Sequence, residues 1–563
     1  MHEIITLQLG QKSNYIATHF WNTQEAYFTY EEGDESLIDH DVHFRAGTAP
    51  DGTDTFTPRT LIYDLKSGFG SLRKVNALYE IEEPTAPQEL WSVFHPNPRI
   101  GKVNSNRNGP TVVQREPVIQ KNPYQQSLEQ GSDLMPIVPD SVKYWSDFSR
   151  VFFHPKSIVQ LNQLDVNPNL MPFETWDAGE ELFSSIDKEH DILDRDLRTF
   201  IEEADQMQAI QIFASIDDAW GGFSAKYLDR IRDEYSKTTV AFWGSADELT
   251  SIPRVCRSVS LIVSNTDFIS QDKLLIRGSN SARSTSEIAS QASIFTPIVL
   301  PSETMPSYVT LGNASNWHKS ALFSTALESM TLSSRLKFMN KSRMDFSELI
   351  NCLNTNGRQN ISMLQMSVHQ SLMQIGSLNS SSPTETEISE QHTDMRLPSH
   401  SKHTEHSSVT NPLDLSKFDI NFFPIQSSQK LRPEDSGEKN IFGQVEVHRL
   451  ESEPTNKPDS GRGLDSQRAR GAHGLSNIQK HTIPLPLPLT TSFPPIFPKA
   501  GPCLSLSTSL STNTCIAEWL KKLQTIAKRA PSLDEREVLT NSLGEMAEAY
   551  EQGWDSGSDE DND

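Results

Sequence analysis

Two aspartates, Asp217 and Asp218, and two glycines, Gly221 and Gly222, lie between an apolar run and an amphipathic stretch in IQIFASIDDAWGGFSAKYLDRIRDEY, residues 210–235. Strand, glycine turn and helix in this order are the parts of a phosphate site, because a helix N-terminus offers free N–H groups and partial positive charge. Carboxylates are the wrong partners there. Asp217 and Asp218 stand where phosphate oxygens would approach, and like charges repel. Only Gly221 and Gly222 remain to let the backbone come close. The residues predict a nucleotide-type architecture with disabled phosphate chemistry. A second polar group, Gln11 and Asn14, follows Gly10 at the end of the apolar run EIITLQL. Its local reading is helix capping and turn chemistry.

Other chemistries find little support. The four cysteines, Cys256, Cys352, Cys503 and Cys515, form no CxxC pair. That fits free thiols in a reducing compartment and argues against a zinc site or a disulfide framework. His392, His400, His403 and His406 are irregularly spaced in a polar stretch and read as solvated side chains. Lys plus Arg total 50 against 74 Asp plus Glu, a formal net charge of −24, which argues against direct nucleic-acid contact. No apolar run is long enough for a transmembrane helix. MHEIITLQLG reads as a first strand rather than a secretory or transit signal, so work at an organelle is expected from its cytosolic side.

The elements that must position these residues alternate between strand and helix. Residues 3–9 read as a strand, followed by a helix with Ile16, Phe20 and Trp21 on its apolar face. Residues 30–57 read as a loop, and Thr60 to Leu65 as a buried strand. The span 183–207 is expected to be one amphipathic helix, Ile210 to Ile216 a strand, and Phe223 to Tyr235 a helix with Tyr227, Leu228 and Ile231 facing the sheet. TTVAFWG, SVSLIVS and SIFTPIVLP supply further strands within 238–300, before helices at 319–336 and 344–354. The apolar but proline-rich stretch 482–498 reads as an edge strand or a polyproline-type ligand. Two helices follow, the first striped by Ile516, Trp519, Leu520, Leu523 and Ile526, the second opened by a capping box of Ser532 and Glu535.

The expected division has seven parts. Residues 1–73 begin a nucleotide-binding-type domain, 74–141 form a Pro/Asn-rich insertion, and 142–337 complete the domain with a core helix. Residues 338–376 start a second domain, 377–480 form a linker disordered by composition, 481–552 a strand and helical segment, and 553–563 an acidic tail.

Alternating strands and helices with glycine turns suggest a doubly wound α/β fold, and the motifs narrow it. MHEIITLQLGQKSNYIATHFW resembles the opening of tubulin, with a Gly-Gln-x-x-Asn turn at Gly10, Gln11 and Asn14. TPRTLIYDL resembles the tubulin strand that ends in Asp-Leu, here Asp64 and Leu65, and the next turn ends in a similar Arg73. FFHPKSIV resembles the tubulin Phe-His-Pro segment, and the helices at 319–336 and 344–354 resemble its core helix and Asp-x-x-Glu helix. The similarity covers about 1–73 and 145–355, and more loosely the last two helices and the tail. The departures are informative. The tubulin signature Gly-Gly-Gly-Thr-Gly-Ser-Gly falls on IDDAWGG, residues 216–222, and Lys66 stands where tubulins carry an acid near magnesium. Asn340 and Arg343 replace a Gly and an Asn beside the acidic pair Asp345 and Glu348. A tubulin-like N-terminal half, a long insertion and a divergent C-terminal half with a second α+β domain together resemble the Misato family.

That resemblance implies a non-catalytic, tubulin-like protein with a part in partitioning mitochondria and inheriting mitochondrial DNA, peripheral to the mitochondrion or cytoplasmic. It implies protein partners such as tubulin or a chaperonin, and a degenerate nucleotide site of Gly10, Gln11, Asn14, Asp64, Gly221 and Gly222 with no bound cofactor and no metal. The competing reading is a GTP-binding, polymerising GTPase. In it Asp345 and Glu348 would complete the site of the next subunit and activate water. A third reading makes the linker and tail recruiting elements on an inert core.

Overall fold

A computed structural model describes residues 2–28, 36–48, 52–73, 119–132, 134–162, 173–248, 271–301, 305–311, 315–369, 418–424, 440–451, 477–529 and 533–551. The first strand β1 (Ile4–Leu9) leads into helix Gln11–Glu25. A hairpin of β2 (Phe44–Thr48) and β3 (Asp54–Pro58) precedes β4 (Thr60–Leu65), and β5 (Ile158–Leu161), β6 (Ala209–Ser215), β7 (Val240–Ala246) and β8 (Ile294–Val299) follow. The hairpin corrects the loop expected at 30–57. It gathers Phe44 and Phe56 around Phe28, which stacks on His40.

Six parallel strands form the main sheet in the order β5-β4-β1-β6-β7-β8. Their side chains alternate between two cores, as a sheet covered on both faces requires. Ile4, Ile62, Phe213 and Trp243 join the core under helix Gln11–Glu25, while Ile5, Leu7, Ile210 and Ile212 join the core on the other side. The strand order reverses between β1 and β6, and in such sheets the crevice at that switch point is where ligands bind.

Helix Trp176–His190 covers the second face and corrects the expected single helix at 183–207. It stops at Asp191, the one described non-glycine residue with positive φ, at 44°. A π-helical turn Leu193–Leu197 and helix Arg198–Glu202 continue the path. The break re-aims the chain so that Ile192, Leu193, Leu197 and Phe200 all stay buried. A further helix, Gln271–Gln291, was not legible within 238–300. Its buried face uses Asn280, Ser281, Ala282, Ser284 and Thr285, small and polar residues that carry no hydrophobic period. SVSLIVS lies outside the described residues.

The core helix is Asn316–Met330 with a 3-10 turn Leu332–Arg335, and it packs on helix Gln11–Glu25 as well as on the second sheet. That sheet comprises β9 (Met363–Val368), β10 (Ile420–Asn421), β11 (Ile441–Arg449) and β12 (Asn477–Ile483), followed by the short pair β13 (Leu487–Pro488) and β14 (Cys503–Leu504), and then β15 (Leu506–Asn513). The order is β10-β9-β15-β11-β12. Strands β10, β11 and the start of β12 therefore fall within 377–480, where a linker was expected; the rest of that stretch, with its four histidines, lies outside the described residues. The expected 74–141 insertion contains a helix, Pro123–Gln130, whereas 74–118 is likewise not described. Within 482–498, β12 ends as the sheet's edge strand, and Leu487, Ile496 and Phe497 are buried in the core rather than offered as a ligand. Helices Cys515–Ala527 and Leu533–Glu548 close the described chain and pack on each other and on Gln271–Gln291. The expected Ser532–Glu535 cap and the acidic tail fall outside what is described.

Candidate functional site

Strands β1 and β6 end side by side at the switch point, so Gly10 and Asp217 meet across the crevice that a nucleotide would enter. Gly10 takes φ 86°, a left-handed value that a side chain opposes, and a Cβ there would lie 2.5 Å from the indole of Trp220. The indole thus rests against the backbone that should face a phosphate. Trp220 is 6% exposed and is held edge-on by Phe173 and Phe223.

The two carboxylates are also engaged. Asp218 caps helix Ala219–Glu234, accepting from Trp220 N at 2.9 Å and from Ser215 Oγ at 2.5 Å. Burial pushes its carboxyl up to about 6, against the pull of Lys12. Asp217 is buried and accepts from Lys12 Nζ at 3.0 and 3.2 Å and from Asp247 N at 3.0 Å. Lys12 Nζ also reaches Asp247 Oδ2 at 3.1 Å, and Arg277 reaches the same oxygen at 3.4 Å. Burial opposes the charged forms, but Asp217, Asp218 and Asp247 outweigh it to hold the Lys12 ammonium above its ordinary range. Lys12 and Arg277 likewise hold Asp247 below the ordinary carboxylate range despite its burial. The crevice is thus lined by a set of ion pairs, part of it exposed, and by an indole.

Gly221 and Gly222 lie inside helix Ala219–Glu234, not in the turn expected before it. A Cβ on Gly222 would come within 2.1 Å of the Trp176 carbonyl oxygen, and one on Gly221 within 2.2 Å of Ser284 Oγ. Their smallness therefore serves contact between helices rather than access for a ligand.

Asn14 and Asp64 do meet. Asn14 Nδ2 donates to Asp64 Oδ2 at 2.8 Å, which corrects the capping role read locally for Asn14. Trp145 Nε1 donates to the same oxygen at 3.2 Å and Leu65 N to Oδ1 at 2.9 Å, so the buried carboxylate is bound by the protein itself. Gln11 is exposed at the start of its helix, which has no side-chain cap.

Asp345 and Glu348 form a reciprocal capping box on helix Phe346–Leu353, with Glu348 N donating to Asp345 Oδ1 at 2.9 Å and Asp345 N to Glu348 Oε2 at 3.2 Å. Phe346 N donates to Gln208, just before β6, at 3.1 Å. The pair thus sits at the strand-start edge of the sheet, away from Gly10 and Asp217, and one molecule does not bring the two groups together. Sequence reasoning missed Lys12, Trp220 and Asp247. The available signal was charge balance: a lysine two residues past Gly10 opposite two unpaired aspartates.

Comparison with known proteins agrees with this architecture. Residues 2–130 match the family described as Misato Segment II tubulin-like domain, and residues 135–336 match a family described as Tubulin domain. Protein dml-1 of Neurospora crassa is 43% identical over 583 residues, covering all of both chains. Protein DML1 of Gibberella zeae is 40% identical over 569 residues, again covering both chains fully. Protein dml1 of Schizosaccharomyces pombe is 31% identical over 350 residues, 60% of this chain and 66% of that one. With its tubulin-like fold and full-length similarity to the Neurospora and Gibberella proteins, the chain belongs to the Misato family.

Proposed function

We propose that this protein is a non-catalytic member of the tubulin-like class that acts in partitioning mitochondria and inheriting mitochondrial DNA, peripherally at the mitochondrion and in the cytoplasm. The observation that carries the non-catalytic part is the indole of Trp220 against Gly10, flanked by the Lys12–Asp217 pair. A nucleotide that cannot seat its phosphates cannot drive hydrolysis, so assembly with protein partners, tubulin or a chaperonin among them, is expected not to need GTP turnover. The mitochondrial part rests on the resemblance to the fungal members of the Misato family.

Asp345→Asn with Glu348→Gln is the informative variant. Asn and Gln can still form the capping box, so the helix keeps its start while the acidic chemistry is lost. In cells depleted of the native chain, we expect this variant to restore mitochondrial DNA transmission fully. Loss of transmission by a folded variant would instead favour the polymerising GTPase, and normal transmission in depleted cells would remove the mitochondrial assignment.

A further inference from the structure

We propose that the loop after the core helix, residues 337–343, is a membrane-contact tip that seats on an anionic lipid surface. KFMNKSR contains three cations and no acid in a chain of net charge −24. At its apex Phe338 and Met339 are 80% and 93% exposed, the most exposed large apolar side chains among the described residues. Such side chains in water are a cost that contact with an apolar phase removes.

The tip is built rather than slack. Asn340 N donates to the Lys337 carbonyl at 2.9 Å and Arg343 N to the Asn340 carbonyl at 3.1 Å, which makes two successive turns. Asn340 Oδ1 accepts from Ser342 N at 2.9 Å. The base is pinned by Lys337 N on the Leu37 carbonyl at 3.0 Å and by Ser342 Oγ on the Thr482 carbonyl at 2.9 Å. Phe338 and Met339 are therefore held outward before any partner arrives, so contact need not order them first. The Arg343 guanidinium lies 5.2 Å over the Phe338 ring, and Lys337 and Lys341 are exposed.

Two protruding apolar side chains ringed by cations match the headgroup boundary of an anionic bilayer. There the Phe338 ring and the Met339 thioether enter the acyl region and the ammonium groups meet phosphate. A protein partner is the less suitable occupant, since two side chains on a convex tip fall far short of the roughly 800 Å² per side that a stable protein interface buries. The rest of this acidic surface is repelled by the same bilayer, so the tip also sets the orientation. This inference deepens the mitochondrial reading by naming the element that would touch the membrane.

Flotation of the full-length protein with vesicles tests it. We expect binding to phosphatidylcholine–cardiolipin vesicles, little to phosphatidylcholine alone, and weakening with salt. Phe338→Ser with Met339→Ser, and separately Lys337→Glu with Lys341→Glu, should each lower partitioning by about tenfold or more without changing the circular dichroism spectrum. A tryptophan reporter, Phe338→Trp, should shift its emission to the blue on binding. No binding by the native chain, equal binding by both variants, or an unshifted reporter overturns the proposal. Self-association that both variants abolish, without vesicle binding, overturns it in favour of a second copy as partner. Location in cells separates the two readings: vesicle binding by the native chain that both variants lose, with the native chain absent from mitochondria, counts against the mitochondrial role alone.

Discussion

At the residue scale, three side chains in the switch-point crevice act together. Trp220 replaces space with an indole, Asp217 replaces an anion's place with a carboxylate, and Lys12 neutralises that carboxylate. The two carboxylates Asp217 and Asp218 were legible in the sequence, but the packing beside them was not, because Trp220 reads as ordinary core until it is seen against Gly10. Buried histidines add a pH signature. His19 is lowered to about 3, mainly by burial, and its Nε2 lies 3.0 Å from the Trp317 carbonyl; His43 is lowered well below 6.5, also mainly by burial. For both groups the folded state favours the neutral ring. Their stabilisation is therefore fully present above the ordinary value of 6.5 and is lost as pH falls toward the folded values. Asp218 runs the other way, since a carboxyl raised to about 6 gains relative stability as pH falls from there toward 3.8. We expect the urea midpoint to fall between pH 6.5 and 4, and His19→Leu to flatten the slope by up to about 1.4 kcal/mol per pH unit. An unchanged slope in that variant would assign the acid sensitivity elsewhere.

At the element scale, the helices Trp176–His190 and Ala219–Glu234 approach through Gly222, whose absent Cβ makes room for the Trp176 carbonyl. Removing a helix glycine normally gains about 1 kcal/mol, whereas overpacking costs about 1–3 kcal/mol. The contact at 2.1 Å decides between them. We expect Gly222→Ala to lower the thermal midpoint; a rise would show that the helices part easily. The first sheet was legible because β4 and β6 are mostly apolar, as strands buried on both faces tend to be. The second sheet was not. Strand β15, LSTSLSTN, is buried throughout yet mostly hydroxyl-bearing, and β11 alternates Val445 and Val447 with buried Gln444, Glu446 and His448. Those polar side chains satisfy one another across the strands: His448 Nδ1 lies 2.6 Å from Ser507 Oγ, and Gln444 Nε2 donates to Ser509 Oγ at 3.1 Å. A core built from paired polar groups leaves little hydrophobic period to read, which is why the stretch holding β11 resembled a linker and β15 was not read as a strand.

At the scale of the whole molecule, one buried charge cluster joins the halves. Glu328 on the core helix receives Arg335 from the following turn, Arg449 from β11 and the Tyr27 hydroxyl at 2.7 Å. Arg449 Nε also donates to the Leu485 carbonyl at 2.8 Å. Burial opposes ionisation of Glu328, but the two guanidinium groups hold its carboxyl below the ordinary range. The cluster holds two cations and one anion, so its members are not equivalent. Arg449→Met leaves a matched Glu328–Arg335 pair, whereas Glu328→Gln strands two buried cations, and an uncompensated buried charge costs about 3–5 kcal/mol. We expect Glu328→Gln to depress the thermal midpoint well beyond Arg449→Met; the reverse order would show that the link between halves depends on Arg449 itself. The central claim concerns the crevice at the β1–β6 switch point, and calorimetric titration with GTP and magnesium tests it most directly. The native chain should give no binding heat, while Asp217→Gly, Asp218→Gly and Trp220→Gly combined, which restore glycine at three signature positions, should gain affinity. Binding by the native chain at about 1 μM, near −8.2 kcal/mol, would contradict the account.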